Sequence, residues 1–198
     1  KVQIDAVPSA DDVLASGNVA APLTRLMMAR PTDGAVAVLL ASEEIAHRAA
    51  KTPVWITGMG ASADKHAFAT RRPNALEACE VAAKSAFARA GWDKPAPCIA
   101  EVSASSAVTE LMVLESLGLA PRGRGIDLLS DGGPVTVNRS GGALPADPVM
   151  ATGLMRLREA SRQLALPGEF GLKSPRSAVV HGAGGVGMQT HCVFTLEV

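Results

Sequence analysis

A glycine-rich segment late in the chain contains residues whose types and spacing could support chemistry. Residues 182–187 read Gly-Ala-Gly-Gly-Val-Gly and match G-x-G-x-x-G, the pattern of dinucleotide-binding loops. That loop requires a following helix whose first amides meet the pyrophosphate. Here an apolar, strand-like run follows instead, so the sequence does not predict a nucleotide site. We expect a tight turn between two strands, or a close approach of the backbone to a ligand.

His181 stands directly before these glycines, at the end of an apolar run. With an unperturbed pKa of about 6.5, a histidine can serve as a general acid or base. A lone histidine at a strand end is also commonly a hydrogen-bonded structural residue, and both interpretations stay open. We assign no role to the other histidines, which are His47, His66 and His191.

Residues 137–153 form a second candidate segment, in which a glycine-permitted loop leads to the start of a long helix. The loop would contain Asn138, Gly141 and Gly142, and the helix would begin at Asp147 and the proline after it. A helix N-terminus stabilises nearby negative charge. Asp147 could accept a proton, but the role of helix N-cap accounts for it as well.

Alternating strands and helices would position these residues. Apolar runs predict strands at residues 35–41, 54–57, 98–102, 178–180 and 192–196. Helical spacing and capping residues predict four helices. The first starts at residue 42, and the second runs from 74 to 90 with Asn74 and Glu77 as a capping box. The third ends near 117, and the fourth runs from 147 to about 164. Residues 120–142, rich in Gly and Pro, read as an irregular excursion. The alternation predicts an α/β layered domain whose last two strands are antiparallel.

The composition excludes several classes of protein. Nineteen basic and nineteen acidic residues leave no net charge to attract nucleic acid, and 47% hydrophobic residues are too many for a disordered chain. No apolar run approaches the roughly 20 residues of a membrane helix. Three cysteines without C-x-x-C spacing predict neither a disulfide framework nor a zinc site, and they favour a reducing, cytoplasmic setting. Because the first residue is Lys1, we expect a processed, trimmed or incomplete chain.

Four segments, taken in order, resemble the C-terminal half of the thiolase superfamily. Residues 138–153 resemble its N-x-S-G-G…G-H-P-x-G-A-T-G signature, and residues 12–46 and 101–118 resemble two further family segments. Residues 181–187 resemble its glycine-rich loop, which begins with His in sterol-carrier-protein-x-type thiolases. The resemblance implies a layered α/β/α domain with a mixed, mostly parallel sheet of about five strands. That domain would span residues 34–198, and residues 1–33 would be the irregular end of the N-terminal half.

The resemblance also implies a site with altered residues. Asp147 stands where the family has the histidine that helps to activate the nucleophile. Ser103 stands where a longer polar side chain helps to hold an oxyanion water, and that geometry tolerates little change. By position, His181 and Asp147 would be catalytic. The residues that would contact substrate are Ser103, Asn138, Gly141, Gly142, Gly184 and Gly185. The acyl-accepting cysteine of the family lies in the N-terminal half, and no cysteine of this chain stands in such a context.

We therefore predict a C-terminal thiolase-like half or subunit of an assembly that acts on acyl-CoA thioesters, forming or cleaving carbon–carbon bonds. Coenzyme A would enter only as part of the substrate, with no other cofactor and no metal. The partner would be an N-terminal thiolase half or a homologous subunit, in a homo- or hetero-oligomer. The altered Asp147 and Ser103 favour retro-aldol cleavage over Claisen-type acyl transfer. The alternatives are a non-catalytic thiolase-fold subunit and a small acyl-CoA or lipid binding module.

Overall fold

A computed structural model describes residues 7–130 and 133–198 of the chain. Its helices are α1 Ala10–Ala15, α2 Glu43–Ala49, α3 Glu77–Ala90, α4 Ala107–Ser116 and α5 Thr152–Ala165. Its strands are β1 Asn18–Ala20, β2 Leu23–Thr24, β3 Trp55–Ala63, β4 Ile99–Val102, β5 Thr136–Val137, β6 Ser177–Gly184 and β7 Thr190–Glu197. Short 3-10 turns lie at Arg25–Met27, Phe68–Thr70, Gly125–Leu129 and Pro167–Phe170.

Five strands form the main sheet in the order β3-β7-β6-β4-β5, and β1 with β2 forms a separate hairpin. Strand β4 pairs in parallel with β5 and β6, whereas β7 pairs antiparallel with β6 and with β3. Four strands therefore run in one direction and β7 runs against them. This arrangement confirms the expected mixed, mostly parallel five-stranded sheet and the antiparallel pairing of the last two strands.

Helices cover the sheet on both faces. Along β6, Val179 belongs to an apolar cluster with α3 and α4, and the next residue, Val180, belongs to a second cluster with Leu157 and Leu164 of α5. Successive side chains of a strand point to opposite faces, so each face of the sheet has its own core. The predicted α/β/α layering is confirmed, and it explains why β4 and β6 read as continuous apolar runs.

Helix α3 lies directly on β3 because glycines leave room for its backbone. A Cβ atom added at Gly60 would lie 2.0 Å from the carbonyl oxygen of Ala82, and one at Gly58 would lie 2.1 Å from that of Ala86. The helix ends where the sequence predicted, at Gly91, whose φ of 71° is the left-handed conformation that glycine favours.

The strand predicted at residues 35–41 is wrong. This segment has no regular secondary structure, and within it Leu39 is 97% exposed and Leu40 is 78% exposed. An apolar run shows that burial would be favourable, but it does not supply a neighbouring strand to pair with. The structure also contains a strand that the sequence did not predict. The two residues of β5 lie within the segment 120–142, which was expected to be irregular, and they form the edge of the sheet beside β4.

Two predicted helix starts are also wrong. Helix α5 begins five residues after Asp147, and its N-cap is Ala151, which makes no side-chain cap. Helix α3 has Leu76 as N-cap, so Asn74 forms no capping box. A capping box does form at α4, where the Ser106 hydroxyl and Thr109 bond to each other's backbone N–H groups. No helix among the described residues combines the length and the apolar character that crossing a bilayer requires.

Candidate functional site

The loop of residues 138–142 is attached to the carboxyl end of β4. The backbone N–H of Asn138 donates to the Ala100 carbonyl over 2.8 Å, and its side-chain Oδ1 accepts from the Val102 N–H, also over 2.8 Å. Asn138 has a φ of 42°, and a Cβ at Gly142 would lie 2.8 Å from the Asn138 Nδ2. The loop thus needs this glycine for space, and Asn138 continues the sheet beyond its last regular pair.

A buried charged network lies beneath this loop. The Glu101 carboxylate is fully buried and accepts hydrogen bonds from the Ser140 N–H (3.1 Å), the Ser140 hydroxyl (2.7 Å), the Arg156 guanidinium (2.9 Å) and the Gln163 amide (2.6 Å). Arg156 also donates to the Ser140 hydroxyl over 2.7 Å. Because Arg156 and Gln163 lie on α5, the network fixes the loop, the helix and β4 to one another.

Asp147 belongs to an extended segment that precedes α5. Its backbone N–H donates to the Arg30 carbonyl over 2.8 Å, and its own carbonyl accepts from the Thr32 N–H over 3.0 Å. Its half-buried carboxylate accepts a hydrogen bond from the Thr152 hydroxyl, in the first turn of α5. The N-cap function is therefore absent, and the carboxylate is held at the start of the helix by a side-chain bond.

Ser103 and His181 meet where β4 ends beside the middle of β6. The Ser103 N–H donates to the His181 carbonyl over 3.1 Å, and Ser103 is 7% exposed. The loop of residues 138–142 is attached one residue earlier, at Val102. The structure therefore places Ser103, Asn138 and the backbone of His181 together at the carboxyl end of β4.

The His181 side chain is enclosed by α3 and β7. Its Nε2 lies 2.9 Å from His191 Nδ1, and the buried Cys79 of α3 lies beside the pair. Burial lowers the pKa of His181 to about 3, with a further contribution from His191, so the ring is neutral at pH 7. Burial also lowers the pKa of His191, and it raises the pKa of the Cys79 thiol to about 12. His191, to which the sequence assigned no role, is the direct partner of His181.

An apolar groove of about 780 Å³ lies on the opposite face of the sheet, between α5 and the ends of β3, β6 and β7. The residues that line it include Val149, Met150, Gly153, Leu154, Gly184 and Phe194. Of the predicted site residues, Gly184 thus borders this groove, and Gly185 follows it in the exposed turn with a φ of 77°. The groove and the His181 ring lie on different faces of the sheet.

Glu101 and Gln163 were missed by sequence reasoning. Glu101 carried a usable signal, because a carboxylate inside a continuous apolar strand must be paired when it is buried. Gln163 gave no signal of its own, since a glutamine in a helix is most often on the surface. Arg156 lies just after the segment that resembles the family signature, but the sequence gave no indication of its partner.

Comparisons with known proteins show the family of this chain. The family described as thiolase C-terminal domain-like matches residues 60–197. The chain is similar to the benzoylsuccinyl-CoA thiolase subunit BbsB of Thauera aromatica, with 29% identity over 186 residues that cover 89% of this chain and 48% of that protein. It is 30% identical to an acetyl-CoA acetyltransferase of Methanothermobacter thermautotrophicus over 187 residues, 89% of this chain and 48% of that one.

Two further comparisons extend the likeness. Sterol carrier protein 2 of Gallus gallus is 30% identical over 192 residues, which cover 88% of this chain and 34% of that protein. Among solved structures, the Ltp2-ChsH2(DUF35) aldolase superposes with a TM-score of 0.80 and 19% identity over 96% of this chain and 51% of that one, and so shares its fold. The chain spans about half or less of the length of the curated relatives named here. Because the family match covers well over half of its residues, the chain belongs to the thiolase C-terminal domain-like family.

Proposed function

We propose that this chain supplies the C-terminal half of a thiolase-fold assembly that forms or cleaves carbon–carbon bonds in acyl-CoA thioesters. Two curated relatives carry acyl-CoA substrates in their names, and the chain matches about half of their length. The other half of the site would come from an N-terminal thiolase half or a homologous subunit. A nucleophilic cysteine, where one is used, would also come from that half.

The observation that carries this proposal is that the loop of residues 138–142, Ser103 and the start of α5 lie close together. The buried Glu101 connects the loop to α5 because it accepts hydrogen bonds from both Ser140 and Arg156. Such a rigid mount suits a site that must hold a thioester within a few tenths of an ångström. The apolar groove beside α5 is wide enough to receive an acyl chain.

Retro-aldol cleavage of a β-hydroxyacyl-CoA is the reaction that we propose. A base removes the hydroxyl proton, the bond between Cα and Cβ breaks, and its electron pair moves to the thioester carbonyl as an enolate. Protonation at Cα then releases a shorter acyl-CoA and a carbonyl compound. We assign the base to Asp147, and enolate stabilisation to the start of α5 and to Ser103.

His181 enters this proposal as a positioning residue, although its place in the family pattern suggests direct catalysis. Its ring is fully buried against His191 and lies on the face of the sheet away from the groove. Its carbonyl accepts the Ser103 N–H, so His181 holds the chain at the end of β4 against β6. Asn138, Gly141 and Gly142 would shape the loop that contacts the substrate, and Gly184 and Gly185 would bring the β6–β7 turn close to it.

The test uses the chain together with the subunits that co-purify with it from its own host. A β-hydroxyacyl-CoA with a labelled acyl group is added, and mass spectrometry measures the shorter acyl-CoA, the carbonyl product and any acyl-protein. We expect cleavage without labelled protein. The Asp147→Asn variant keeps an acceptor for Thr152 but not a base, so its kcat should fall about 100-fold or more while KM is retained.

The matched control is Asp127→Asn, which alters an exposed carboxylate beside Arg124 and should leave turnover unchanged. Detection of labelled acyl-protein would contradict the retro-aldol reaction and would indicate acyl transfer instead. Full activity of Asp147→Asn would refute the role of Asp147. Absence of turnover with every acyl-CoA tested would contradict catalysis by the assembly.

A non-catalytic thiolase-fold subunit is the second candidate, and two observations favour it. His181 is closed to substrate, and Val149, Met150 and Leu154 present exposed apolar side chains at the start of α5, as a surface that packs against another subunit would. This candidate predicts an oligomer in sedimentation without turnover. A monodisperse monomer that CoA esters stabilise thermally would contradict it and favour a binding module.

A further inference from the structure

Cys79, His181 and His191 form a buried cluster of metal-ligating side chains. They come from α3, β6 and β7, and their exposed fractions are 0%, 0% and 1%. One ligand atom of each side chain lies within 4.8 Å of those of the other two. The sequence predicted no zinc site because its cysteines lack C-x-x-C spacing. Cys79 stands about a hundred positions before the histidines, and the packing of α3 on the hairpin brings the three side chains together.

The two rings leave part of their hydrogen-bonding capacity unused. The inner nitrogens, His181 Nε2 and His191 Nδ1, face each other at 2.9 Å. The outer nitrogens, His181 Nδ1 and His191 Nε2, are buried and make no hydrogen bond of normal geometry with the described residues. The backbone of Ser103 lies near the first ring and that of Met188 near the second.

The two neutral rings carry too few protons to place an N–H group on both outer nitrogens. Two neutral imidazoles carry two N–H groups on four nitrogens, and the inner hydrogen bond uses one of them. One outer nitrogen then carries no proton, and both outer nitrogens are buried without a hydrogen-bond partner among the described residues. A metal ion on the inner nitrogens leaves both outer nitrogens as N–H donors, which is the usual second shell of metal-bound histidine.

We propose that Cys79, His181 and His191 bind a Zn²⁺ ion through the thiolate and the two inner nitrogens. A thiolate with two imidazoles is a ligand set that zinc prefers. Tetrahedral zinc holds two nitrogen ligands about 3.3 Å apart, given its bond lengths of about 2.0 Å. The 2.9 Å between the inner nitrogens therefore needs to widen by only about 0.4 Å. The Cys79 thiol gives up its proton to solvent as the metal binds.

Asp64 supplies the remaining negative charge. The negative charge of its carboxylate raises the pKa of both Cys79 and His191. Its backbone N–H donates a hydrogen bond to the Gln189 carbonyl of the hairpin over 2.8 Å. Zn²⁺ with one thiolate leaves a single positive charge, which this carboxylate balances. The nearby Arg71, which is positively charged, lowers the pKa of His191 instead. The ion would connect α3 to the β6–β7 hairpin, on the face of the sheet away from the groove. Zinc binding does not depend on the proposed function.

The test begins with untagged chain that is freed of metal by a chelator. Titration with Zn²⁺ against a chromophoric competitor should show one equivalent bound, and the melting temperature should rise with Zn²⁺ concentration. Titration with Co²⁺ should give the thiolate-to-cobalt charge-transfer band of a cysteine-ligated site. X-ray absorption of the zinc form should show one sulfur and two imidazole ligands, which tests the proposal without any variant.

Cys79→Ser should weaken zinc binding by more than about 100-fold and abolish the charge-transfer band, because even second-shell changes weaken binding by about 10- to 100-fold. Asp64→Asn should weaken it by about 10-fold. Cys192→Ser and His66→Ala are the controls and should bind zinc as the unaltered chain does. Circular dichroism of each metal-free variant checks its folding. Binding of less than one equivalent, a zinc spectrum without sulfur, or an unchanged cobalt band in Cys79→Ser would overturn the proposal.

Discussion

The buried ion pair between Glu101 and Arg156 allows a quantitative prediction for Arg156→Met. The Arg156 side chain is 6% exposed and that of Glu101 is fully buried, so the substitution leaves a carboxylate in the core without its cation. Breaking such a pair costs about 3–5 kcal/mol. Because Glu101 keeps its bonds to Ser140 and Gln163, we expect the lower end of this range, about 3 kcal/mol.

Urea unfolding followed by circular dichroism measures this loss as a shift of the midpoint at constant slope. In a chain of this size the melting temperature should fall by about 10 °C. The double variant E101Q/R156M removes both charges and should lose about 2 kcal/mol less than the two single losses added together. The matched control is Arg124→Met, which breaks an exposed pair with Asp127 and should cost less than about 1 kcal/mol.

Two results would refute this reasoning. The first is an Arg156→Met variant that is no less stable than Arg124→Met. The second is a double variant whose loss equals the sum of the single losses, since that would show that the two charges do not stabilise each other.

Three further predictions concern packing, titration and capping. Gly60→Ala forces a Cβ against a carbonyl of α3 and should lower the unfolding free energy by about 1–3 kcal/mol, whereas Gly168→Ala meets no atom within 4 Å and should change it little, as urea unfolding will show. Burial raises the pKa of Glu110, helped by the charge of another carboxylate, so the folded chain binds this proton more tightly than the unfolded chain does. The stability that this proton provides is present below the unfolded pKa of about 4.5 and is lost as pH rises through the folded pKa. The unfolding free energy of the unaltered chain, relative to Glu110→Gln, should therefore fall over that range, and a flat difference would contradict the shift. Ser106→Ala removes the N-cap of α4 and should cost about 1 kcal/mol, whereas Ser42→Ala, at an N-cap without a side-chain bond, should cost less in the same assay.

Local signals predicted most of the fold. The strands near residues 98–102, 178–180 and 192–196 are apolar on both faces because helices cover both, and Gly91 ends α3 through its own conformation. The signals failed where a partner decides the outcome. Residues 35–41 are as apolar as the true strands but have no neighbour to pair with, and β5 is too short to carry a pattern of its own.

The arrangement of the candidate site follows from the sequence only in part, for a similar reason. The loop glycines follow from backbone conformation, which sequence indicates well. The His181–His191 pair depends on strand register: His181 stands opposite Val193, and His191 stands opposite Ala183, so the two rings meet diagonally across β6 and β7. A shift of one residue would point one ring to the other face of the sheet. No pattern along the chain contains that information.

The reversed strand β7 has a consequence for how this chain acquires its fold. Strand β3 joins the main sheet only through β7, and Thr57 and Thr195, whose hydroxyls lie 3.0 Å apart, are separated by 138 positions. At about 5–20 residues per second, a ribosome takes roughly 7 to 28 s to make that stretch. Until then β3 and the helix on it have an open edge, where a chaperone or another nascent chain could bind. Pairing over such a distance also predicts slow refolding, limited by the search for this one contact.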